Sequence, residues 1–374
     1  MSAARDPVRL AQELVRFDTV NPRSPERPCA EHLGRLLEAG GFQVARHEFA
    51  PGRTSLVARH GGGRRPPLCF AGHVDTVPLG AAPWSRDPFG GEIAEGRLHG
   101  RGSSDMKSGV AAFVCAALEV ARADPAADLL LAVVAGEETG CEGSAHLART
   151  AGALGTAGAL VVAEPTGNVP LVGHKGALWL RARTRGVAAH GSMPERGVNA
   201  VYEAARAVDR LEAFRFQAPP DPLLGRPTLN VGTIHGGLNL NSVPDLAEVG
   251  IDVRTVPAQR HEEVRAELAR LLGEKVELSA LVDVPAVRTD PGHPWVEEVF
   301  AAAAAVLGER PAPGAAPYFT DASALTPALG NPPTVILGPG ELALAHQTDE
   351  YCLVSRIEQA VALYRELAWR WSAG

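Results

Sequence analysis

The 374-residue chain has few cysteines, and their arrangement argues against two classes of site. The five cysteines are odd in number, and no two of them stand at Cys-x-x-Cys spacing. This pattern argues against a disulfide framework and against a zinc site built from thiolates. Most of the five are expected to be small buried apolar residues. Cys141 follows the pair Glu137-Glu138 within a turn, but buried thiols are usually inert and a chemical role for it is not favoured.

The chain also lacks an excess of positive charge, long apolar runs and a phosphate-binding loop. A net charge of -7 with dispersed Lys and Arg gives no basic surface for a nucleic-acid partner. No run is long and apolar enough to span a membrane, and residues 8–17 read as a charged amphipathic stretch without a signal-peptide core. No Gly-x-Gly-x-x-Gly or P-loop follows any predicted strand, which excludes a nucleotide-binding protein. We therefore expect a cytoplasmic protein.

Alternating strands and helices in the first half predict an α/β domain. Apolar runs at residues 68–72, 129–135 and 160–163 read as strands, and residues 109–122 as a helix. Such alternation favours βαβ units and a mostly parallel sheet covered by helices on both faces. Ligands in sheets of this kind collect at the carboxyl ends of the strands.

The pattern of predicted strands and helices changes near residue 178 and returns to the first pattern near residue 288. Strands are predicted at 178–184, 228–233 and 247–253, and helices at 200–214 and 262–272, in a βαββαβ-like order typical of a small α+β domain. Helices at 295–307 and 355–371 and a strand at 334–337 resume the first pattern. Because 374 residues exceed one ordinary core, we expect two domains: a catalytic domain of residues 1–177 and 288–374, and an inserted domain of residues 178–287.

Four acidic clusters stand at or just after the ends of apolar runs. They are Gly72-His73-Val74-Asp75, Gly102-Ser103-Ser104-Asp105, Glu137-Glu138-Thr139 and Glu164-Pro165-Thr166. A carboxylate is costly to hold near an apolar core unless it is paired or binds a cation, so these clusters predict a metal-dependent hydrolase. His73 would be a nitrogen ligand to zinc, and Asp75 would orient its imidazole. The alternative is a buried core histidine beside a solvated acid.

Asp105 and the glutamate pair suit a site with two metal ions. A carboxylate such as that of Asp105 can bridge two cations, although an aspartate before a helix is also a common N-cap. Of the neighbours Glu137 and Glu138, one should bind metal, and the other should take a proton from water and deliver it to the leaving nitrogen. A plain exposed glutamate pair is the alternative interpretation.

These motifs, together with Ala345-His346-Gln347-Thr348-Asp349-Glu350-Tyr351, resemble the dinuclear zinc amidohydrolases. That family includes acetylornithine deacetylase, succinyl-diaminopimelate desuccinylase, aminoacylase and the glutamate-releasing carboxypeptidase, and the motifs occur in the same order along the whole chain. The resemblance implies two Zn²⁺ per chain, for which Co²⁺ can substitute. It assigns His73 and Glu164 to one zinc, Glu138 and His346 to the other, and Asp105 to both. Glu137 would be the general acid and base, with Asp75 behind His73.

The inserted domain is similar to the lid and dimerisation domain of the same family. By that resemblance His190 reaches the partner subunit's site in a homodimer and stabilises an oxyanion, and Arg254 grips a substrate carboxylate with its planar fork. A surface salt bridge is the alternative for Arg254. Asn241 lies in a segment that matches the family's glycine-asparagine-proline loop. Lys175 and Thr320 fall where the family contributes further pocket residues.

The resemblance implies hydrolysis of an N-acyl amino acid or a related small amide with a free carboxylate, through a bridging hydroxide with Glu137 as base. Residues 18–22 and the segment around His346 look most similar to acetylornithine deacetylase and its relatives. A dipeptidase or carboxypeptidase, acting on short peptides with the same metal chemistry, is the second hypothesis. A non-catalytic metal-binding relative is less favoured, because every predicted ligand position and Glu137 are occupied by residues able to function.

Overall fold

The structure, a computed structural model, describes residues 6–373 and divides into two compact units. The first unit contains the chain up to Gly173, Arg288–Ala315, and the chain from Thr320 onward. The second unit contains His174–Val287 and the short segment Ala316–Phe319. The second unit thus begins at residue 174, whereas the sequence pattern places the start of an inserted domain at residue 178.

The α-helices of the described residues are α1 (Pro7–Val15), α2 (Arg27–Ala39), α3 (Ser108–Ala123), α4 (Glu142–Arg149), α5 (Ala200–Ala213), α6 (His261–Leu272), α7 (Pro294–Leu307), α8 (Ala322–Ala328) and α9 (Val354–Ala373). The strands are β1 (Gln43–Ala50), β2 (Arg53–His60), β3 (Leu68–His73), β4 (Ile93–Ala94), β5 (Arg97–His99), β6 (Leu129–Val134), β7 (Ala159–Val162), β8 (Leu171–His174), β9 (Gly176–Arg185), β10 (Ala189–His190), β11 (Thr228–Gly236), β12 (Ser242–Val243), β13 (Leu246–Thr255), β14 (Val276–Val284), β15 (Val287–Arg288), β16 (Gly314–Ala316), β17 (Thr334–Ile336) and β18 (Tyr351–Leu353).

The large sheet has a parallel centre. Its strand order is β1-β2-β6-β3-β7-β17-β8-β15, and the neighbours from β6 to β17 run parallel. Antiparallel strands flank this centre on both sides. Every residue of β3, β6 and β7 is buried, as expected when both faces of a sheet are covered. The predicted fold class is confirmed for this part of the chain.

Helix α3 begins directly after one of the acidic clusters. Its sequence is rich in alanine and other small apolar residues, and most of it is buried. The residue at the N-cap position is Lys107, and no side chain caps the helix there. Asp105 is therefore not an N-cap residue, and that alternative for its role is excluded.

The second unit is built around an antiparallel sheet of four strands in the order β11-β13-β9-β14. Buried and half-buried residues alternate along β9 and β13, so one face of the sheet packs on apolar residues of α5 and α6. Apart from the two-residue pair β10 and β12, the element order is βαββαβ, as the sequence pattern predicts. Strand β11 lies at an edge of this sheet.

The hairpin of β1 and β2 has no counterpart among the predicted elements. Strand β1 is an edge strand whose side chains are exposed or half-buried, so it carries no apolar run that would mark it.

Among the helices of residues 6–373, none combines the length and hydropathy that crossing a bilayer requires.

Candidate active site

Three parallel strands of the large sheet bring acidic clusters to one edge. His73 is the last residue of β3 and lies opposite Val134, the last residue of β6. Glu137 and Glu138 follow β6, and Glu164 follows β7, the other neighbour of β3. The carboxyl ends of these strands therefore deliver one imidazole and several carboxylates to the same place.

Asp105 and His346 reach this edge from outside the sheet. Asp105 lies in the irregular segment Ser103–Lys107 that precedes α3. His346 lies in the loop before β18 with a left-handed backbone, φ 63°. The Oδ1 atom of Asp105 is 3.2 Å from Nε2 of His73, and its Oδ2 atom is 3.4 Å from Nε2 of His346. The two oxygens of one carboxylate thus face two different histidines.

The side chains form two groups of possible metal ligands that share Asp105. The first donor set is His73, Asp105 and Glu164, and the second donor set is Asp105, Glu138 and His346. Within each set the candidate ligand atoms all lie within 4.8 Å of one another. Nε2 of His346 is 3.1 Å from Oε2 of Glu138. All five residues predicted from the sequence as metal ligands are in these two sets.

The electrostatics of the two sets fit divalent cations. Burial raises the pKa of Glu164 well above its ordinary value, and Oε1 of this residue is buried without a hydrogen-bond partner. Burial also raises the pKa of Glu138. Hydrogen bonds to Asp105 and Glu138 raise the pKa of His346 to about 10. Several acids thus give this buried space an excess of negative charge, which cations bound by imidazole nitrogen and carboxylate oxygen would neutralise.

His73 and Asp105 show the same shortage of positive charge. Burial acts against a charged His73, but hydrogen bonds to Asp105 and Asp75 outweigh it and raise the pKa of the imidazole well above its usual range. Burial acts against an ionised Asp105, but hydrogen bonds with His346 and His73 lower the pKa of its carboxyl. Without a cation, protonated histidines partly neutralise the acids. Metal binding would displace these protons, since an imidazole ligand must be neutral.

Glu137 lies beside the two donor sets and belongs to neither of them. Burial, with contributions from Glu164 and Asp321, raises the pKa of the Glu137 carboxyl well above its ordinary value. A raised pKa in a buried cleft is typical of a carboxyl that takes up and releases protons. The thiol of Cys141 is 3.9 Å from Oε1 of Glu137, and burial raises the pKa of that thiol well above its usual value. Cys141 is thus a neutral buried thiol.

Asp75 holds the glutamate pair through their backbone. Its Oδ1 accepts a hydrogen bond from the Glu137 amide and its Oδ2 accepts one from the Glu138 amide, each at 3.1 Å. The side-chain amide of Asn21 donates to the same carboxylate. Nδ1 of His73 is 3.0 Å from the main-chain oxygen of Asp75 and 3.5 Å from its Oδ1. Asp75 therefore contacts both the imidazole that it was predicted to orient and the segment that carries the glutamates.

Sequence reasoning gave no role to Asn21. This residue lies in the turn at residues 18–22, which served only to mark a resemblance. A polar side chain that touches a buried carboxylate from another part of the chain leaves no local pattern. The amino-acid composition of that turn is the feature of the sequence that could have indicated a role for Asn21.

His190 and most of the residues predicted to bind substrate lie in the second unit. His190 is exposed on β10, and its Nδ1 is 2.7 Å from the Ser192 hydroxyl. Asn241 is exposed in the loop before β12. On β13, the half-buried Arg254 forms an ion pair with Asp252 at 2.9 Å. Nζ of Lys175 donates to the main-chain oxygen of Arg226 at 2.7 Å.

Thr320 belongs to the first unit and is fully buried. Its hydroxyl accepts a hydrogen bond from the Ala322 amide at 3.1 Å, at the start of α8. This contact is a local turn just before α8, whose N-cap residue is Asp321. A role for Thr320 in substrate binding stays a prediction.

The chain matches the family described as Peptidase family M20/M25/M40 over residues 69–370. It is 34% identical to a succinyl-diaminopimelate desuccinylase of Cereibacter sphaeroides, over 97% of this chain and 98% of the relative. It is 32% identical to an acetylornithine deacetylase of Myxococcus xanthus, over 94% of this chain and 93% of the relative.

Solved structures share the fold. The M20 family metallo-carboxypeptidase Sso-CP2 of Sulfolobus solfataricus superposes with a TM-score of 0.81 at 18% identity, covering 97% of this chain and 98% of that one. The YXEP protein of Bacillus subtilis, described as a dinuclear metal-binding peptidase of the M20 family, gives a TM-score of 0.70 at 16% identity, covering 97% and 96%. The resemblance and the fold class predicted from the sequence are both confirmed. The chain belongs to peptidase family M20/M25/M40, a family of metal-dependent hydrolases.

Proposed function

We propose that this protein is a dinuclear metal amidohydrolase that removes the acyl group from an N-acyl amino acid with a free carboxylate. The observation that carries the proposal is the position of Asp105, whose two oxygens face His73 on one side and His346 on the other. A shared carboxylate between two donor sets is the arrangement that holds two cations close together. Zn²⁺ suits the nitrogen and oxygen ligands of both sets, and Co²⁺ would substitute.

When bound, two such cations would polarise a carbonyl group and lower the pKa of water. Glu137 would take the proton from the attacking water and then donate it to the departing nitrogen. Its place outside both donor sets leaves its carboxylate available for this step. Asp75 holds its backbone amide together with that of Glu138, so the main chain that carries the two glutamates is fixed.

Two residues of the second unit complete the proposal. His190 would stabilise the negative oxygen that develops on the scissile carbonyl. Arg254 would bind the free carboxylate of the substrate, for which a guanidinium offers two parallel donors. Asn241 and Lys175 are proposed to contribute polar contacts to the same substrate.

The names of the relatives support the acyl-amino-acid class. The two curated relatives described above are a desuccinylase and a deacetylase, and both names describe removal of an acyl group. The second candidate function is a peptidase that cleaves short peptides. It is favoured by the solved structures with the same fold, which include a carboxypeptidase.

A substrate panel separates these functions. Zinc- and cobalt-loaded protein is assayed with N-acetyl, N-formyl and N-succinyl amino acids and with dipeptides, and Glu137→Gln protein serves as the control for contaminating hydrolases. We expect turnover of at least one N-acyl amino acid to exceed that of every dipeptide. A preference for dipeptides would establish the peptidase function. If no substrate is hydrolysed in a metal-dependent way, the remaining hypothesis is a non-catalytic metal-binding protein.

We also propose a homodimer formed through the second unit. Strand β11 offers an unpaired sheet edge there, and Tyr202, Ile234, Leu238 and Leu240 are large apolar side chains exposed in the same unit. A two-fold dimer would let each chain supply His190 to its partner. Mixing inactive His190→Ala and Glu137→Gln proteins should then restore up to about a quarter of the wild-type activity, since half of the dimers are mixed and half of their sites are complete. Demonstrated subunit exchange without recovery would contradict this role of His190.

A cytoplasmic location is part of the same proposal. The five cysteines are buried thiols, which suits a reducing compartment. Neither a membrane nor a nucleic acid is proposed as a partner.

A further inference from the structure

A buried ion pair lies next to the second donor set. Nη1 of Arg101 is 2.7 Å from Oε2 of Glu350, and both residues are almost completely inaccessible to solvent. Arg101 follows β5 and Glu350 precedes β18, two strands that pair with each other. The two residues are 249 positions apart in the sequence, so the pairing of these short strands brings them together.

Glu350 gathers the backbone that carries Asp105. Its two oxygens accept hydrogen bonds from the amides of Gly102 at 3.0 Å, Ser104 at 2.7 Å and Asp105 at 3.0 Å. The chain curls around this carboxylate through Gly102, whose φ is 80°. A Cβ atom at that position would lie 2.6 Å from the side chain of Thr76, so glycine is required there. One carboxylate therefore fixes the main chain of the residue shared by both donor sets.

Arg101 holds two other segments that lead to metal ligands. Its Nη1 donates to the main-chain oxygen of Gln347 at 3.2 Å, directly beside His346. Its Nη2 donates to the main-chain oxygen of Pro78 at 3.1 Å, in the segment after His73. The ring of Trp84 lies 5.1 Å from the guanidinium carbon. The planar guanidinium reaches these acceptors from two nitrogen atoms, whereas a lysine ammonium carries its donors on a single nitrogen.

We propose that Arg101 and Glu350 are positioning residues for the metal centre and act mainly on the second donor set. This inference rests on the proposed dinuclear function. In the second donor set, Glu350 holds the backbone of Asp105 and Arg101 holds the backbone next to His346. In the first donor set, His73 lies on β3 and Glu164 follows β7, so only Asp105 depends directly on Glu350.

A merely structural ion pair predicts a different result. Breaking such a pair would lower stability and leave the relative affinities of the two metal ions unchanged as long as the protein is folded. A positioning pair predicts selective loss of one ion. Residues that orient metal ligands typically change metal affinity about 10- to 100-fold when they are replaced.

The test uses three variants of the full chain. Glu350→Gln keeps the shape of the side chain but replaces one of the two carboxylate oxygens, which accept from backbone amides, by an NH2 group that cannot accept. Arg101→Lys keeps the positive charge near Glu350 but loses the fork that reaches Gln347 and Pro78. The matched control is Glu26→Gln, because Glu26 is also a buried glutamate paired with an arginine, Arg53, at 2.8 Å.

Stepwise Zn²⁺ and Co²⁺ binding is measured on metal-stripped protein by equilibrium dialysis, with circular dichroism to confirm folding. We expect Glu350→Gln and Arg101→Lys to weaken one binding step, that of the second donor set, about 10- to 100-fold and the other step by less than about threefold. Glu26→Gln should change neither step. Excess metal should return kcat in both positioning variants to near the wild-type value, since both residues are buried and neither belongs to a donor set.

The outcomes separate this inference from the proposed function. Wild-type protein that binds fewer than two ions contradicts the dinuclear function itself. Two ions in the wild type and unchanged affinities in both folded variants overturn the positioning role alone. If Glu350→Gln does not fold, Arg101→Lys decides; if neither folds, the pair is structural and the inference is wrong.

Discussion

Replacing each of the two neighbouring glutamates by glutamine in turn gives the sharpest test of their different roles in the site. Glu137→Gln and Glu138→Gln are the same chemical change one residue apart, and Asp75 holds the backbone amide of both residues. Differences between the variants therefore report on the side chains. Glu138 is a member of the second donor set, whereas Glu137 is in neither set.

Glu137→Gln should lower kcat by about 10²- to 10⁴-fold, the usual contribution of a positioned acid and base. At about 1.36 kcal/mol for each factor of ten, this raises the activation barrier by roughly 2.7 to 5.4 kcal/mol. The metal content should stay at the wild-type level. The fold should also persist, because burial raises the pKa of Glu137 and a neutral amide resembles its protonated form.

Glu138→Gln should instead lose metal, because it removes one carboxylate of a set of three. The assay is elemental analysis after zinc reconstitution and gel filtration, followed by kcat and KM on the best N-acyl substrate at several zinc concentrations. Added zinc should raise the activity of Glu138→Gln and leave that of Glu137→Gln unchanged. Equal metal loss in both variants, or a kcat of Glu137→Gln within tenfold of the wild type, would refute the assignment of roles.

Three further predictions concern the metals, the substrate and pH. Elemental analysis of fully active protein should give two divalent ions per chain, and one ion or none at full activity would contradict the two donor sets. Arg254→Lys should raise KM about 10- to 100-fold for substrates with a free carboxylate, as expected for loss of about 1.5 to 3 kcal/mol of charge-assisted hydrogen bonding. An equal rise in KM for a substrate whose free carboxylate is replaced by an amide group would mean that Arg254 does not bind the carboxylate. Burial, together with the charge of Asp75, raises the pKa of Glu26 from 4.5 to about 7 despite the nearby Arg53. Between these two values the folded state holds a proton that the unfolded state releases. The contribution of Glu26 to the free energy of unfolding is therefore complete below about pH 4.5 and is lost as the pH rises through about 7, by roughly 3 kcal/mol at most. Urea unfolding of chelated protein should show that slope in the wild type and a smaller slope in Glu26→Gln, and identical slopes would contradict it.

The sequence by itself determined the elements and the kind of chemistry. Strands such as β3, β6 and β7 are continuous apolar runs because both of their faces are buried, and that pattern is local. Acidic residues directly after such runs must lie at the edge of the sheet, since parallel strands end together. The family resemblance then assigned roles to His73, Asp105 and their partners along the whole chain.

The tertiary structure alone decided which side chains meet. The residues themselves indicate that one of Glu137 and Glu138 binds metal, but only the position of His346 beside Glu138 distinguishes the two geometrically. The sequence also left Asp105 open as an N-cap, until the start of α3 at Ser108 excluded that role.

Contacts between distant segments left the weakest trace in the sequence. Asn21 reaches Asp75, and Arg101 reaches Glu350 across 249 positions, through side chains that follow no helical or strand periodicity. The burial of these polar groups depends on how strands, loops and helix ends pack together. Periodicity records which face of an element is buried, and it carries no information about which distant polar group will be found there.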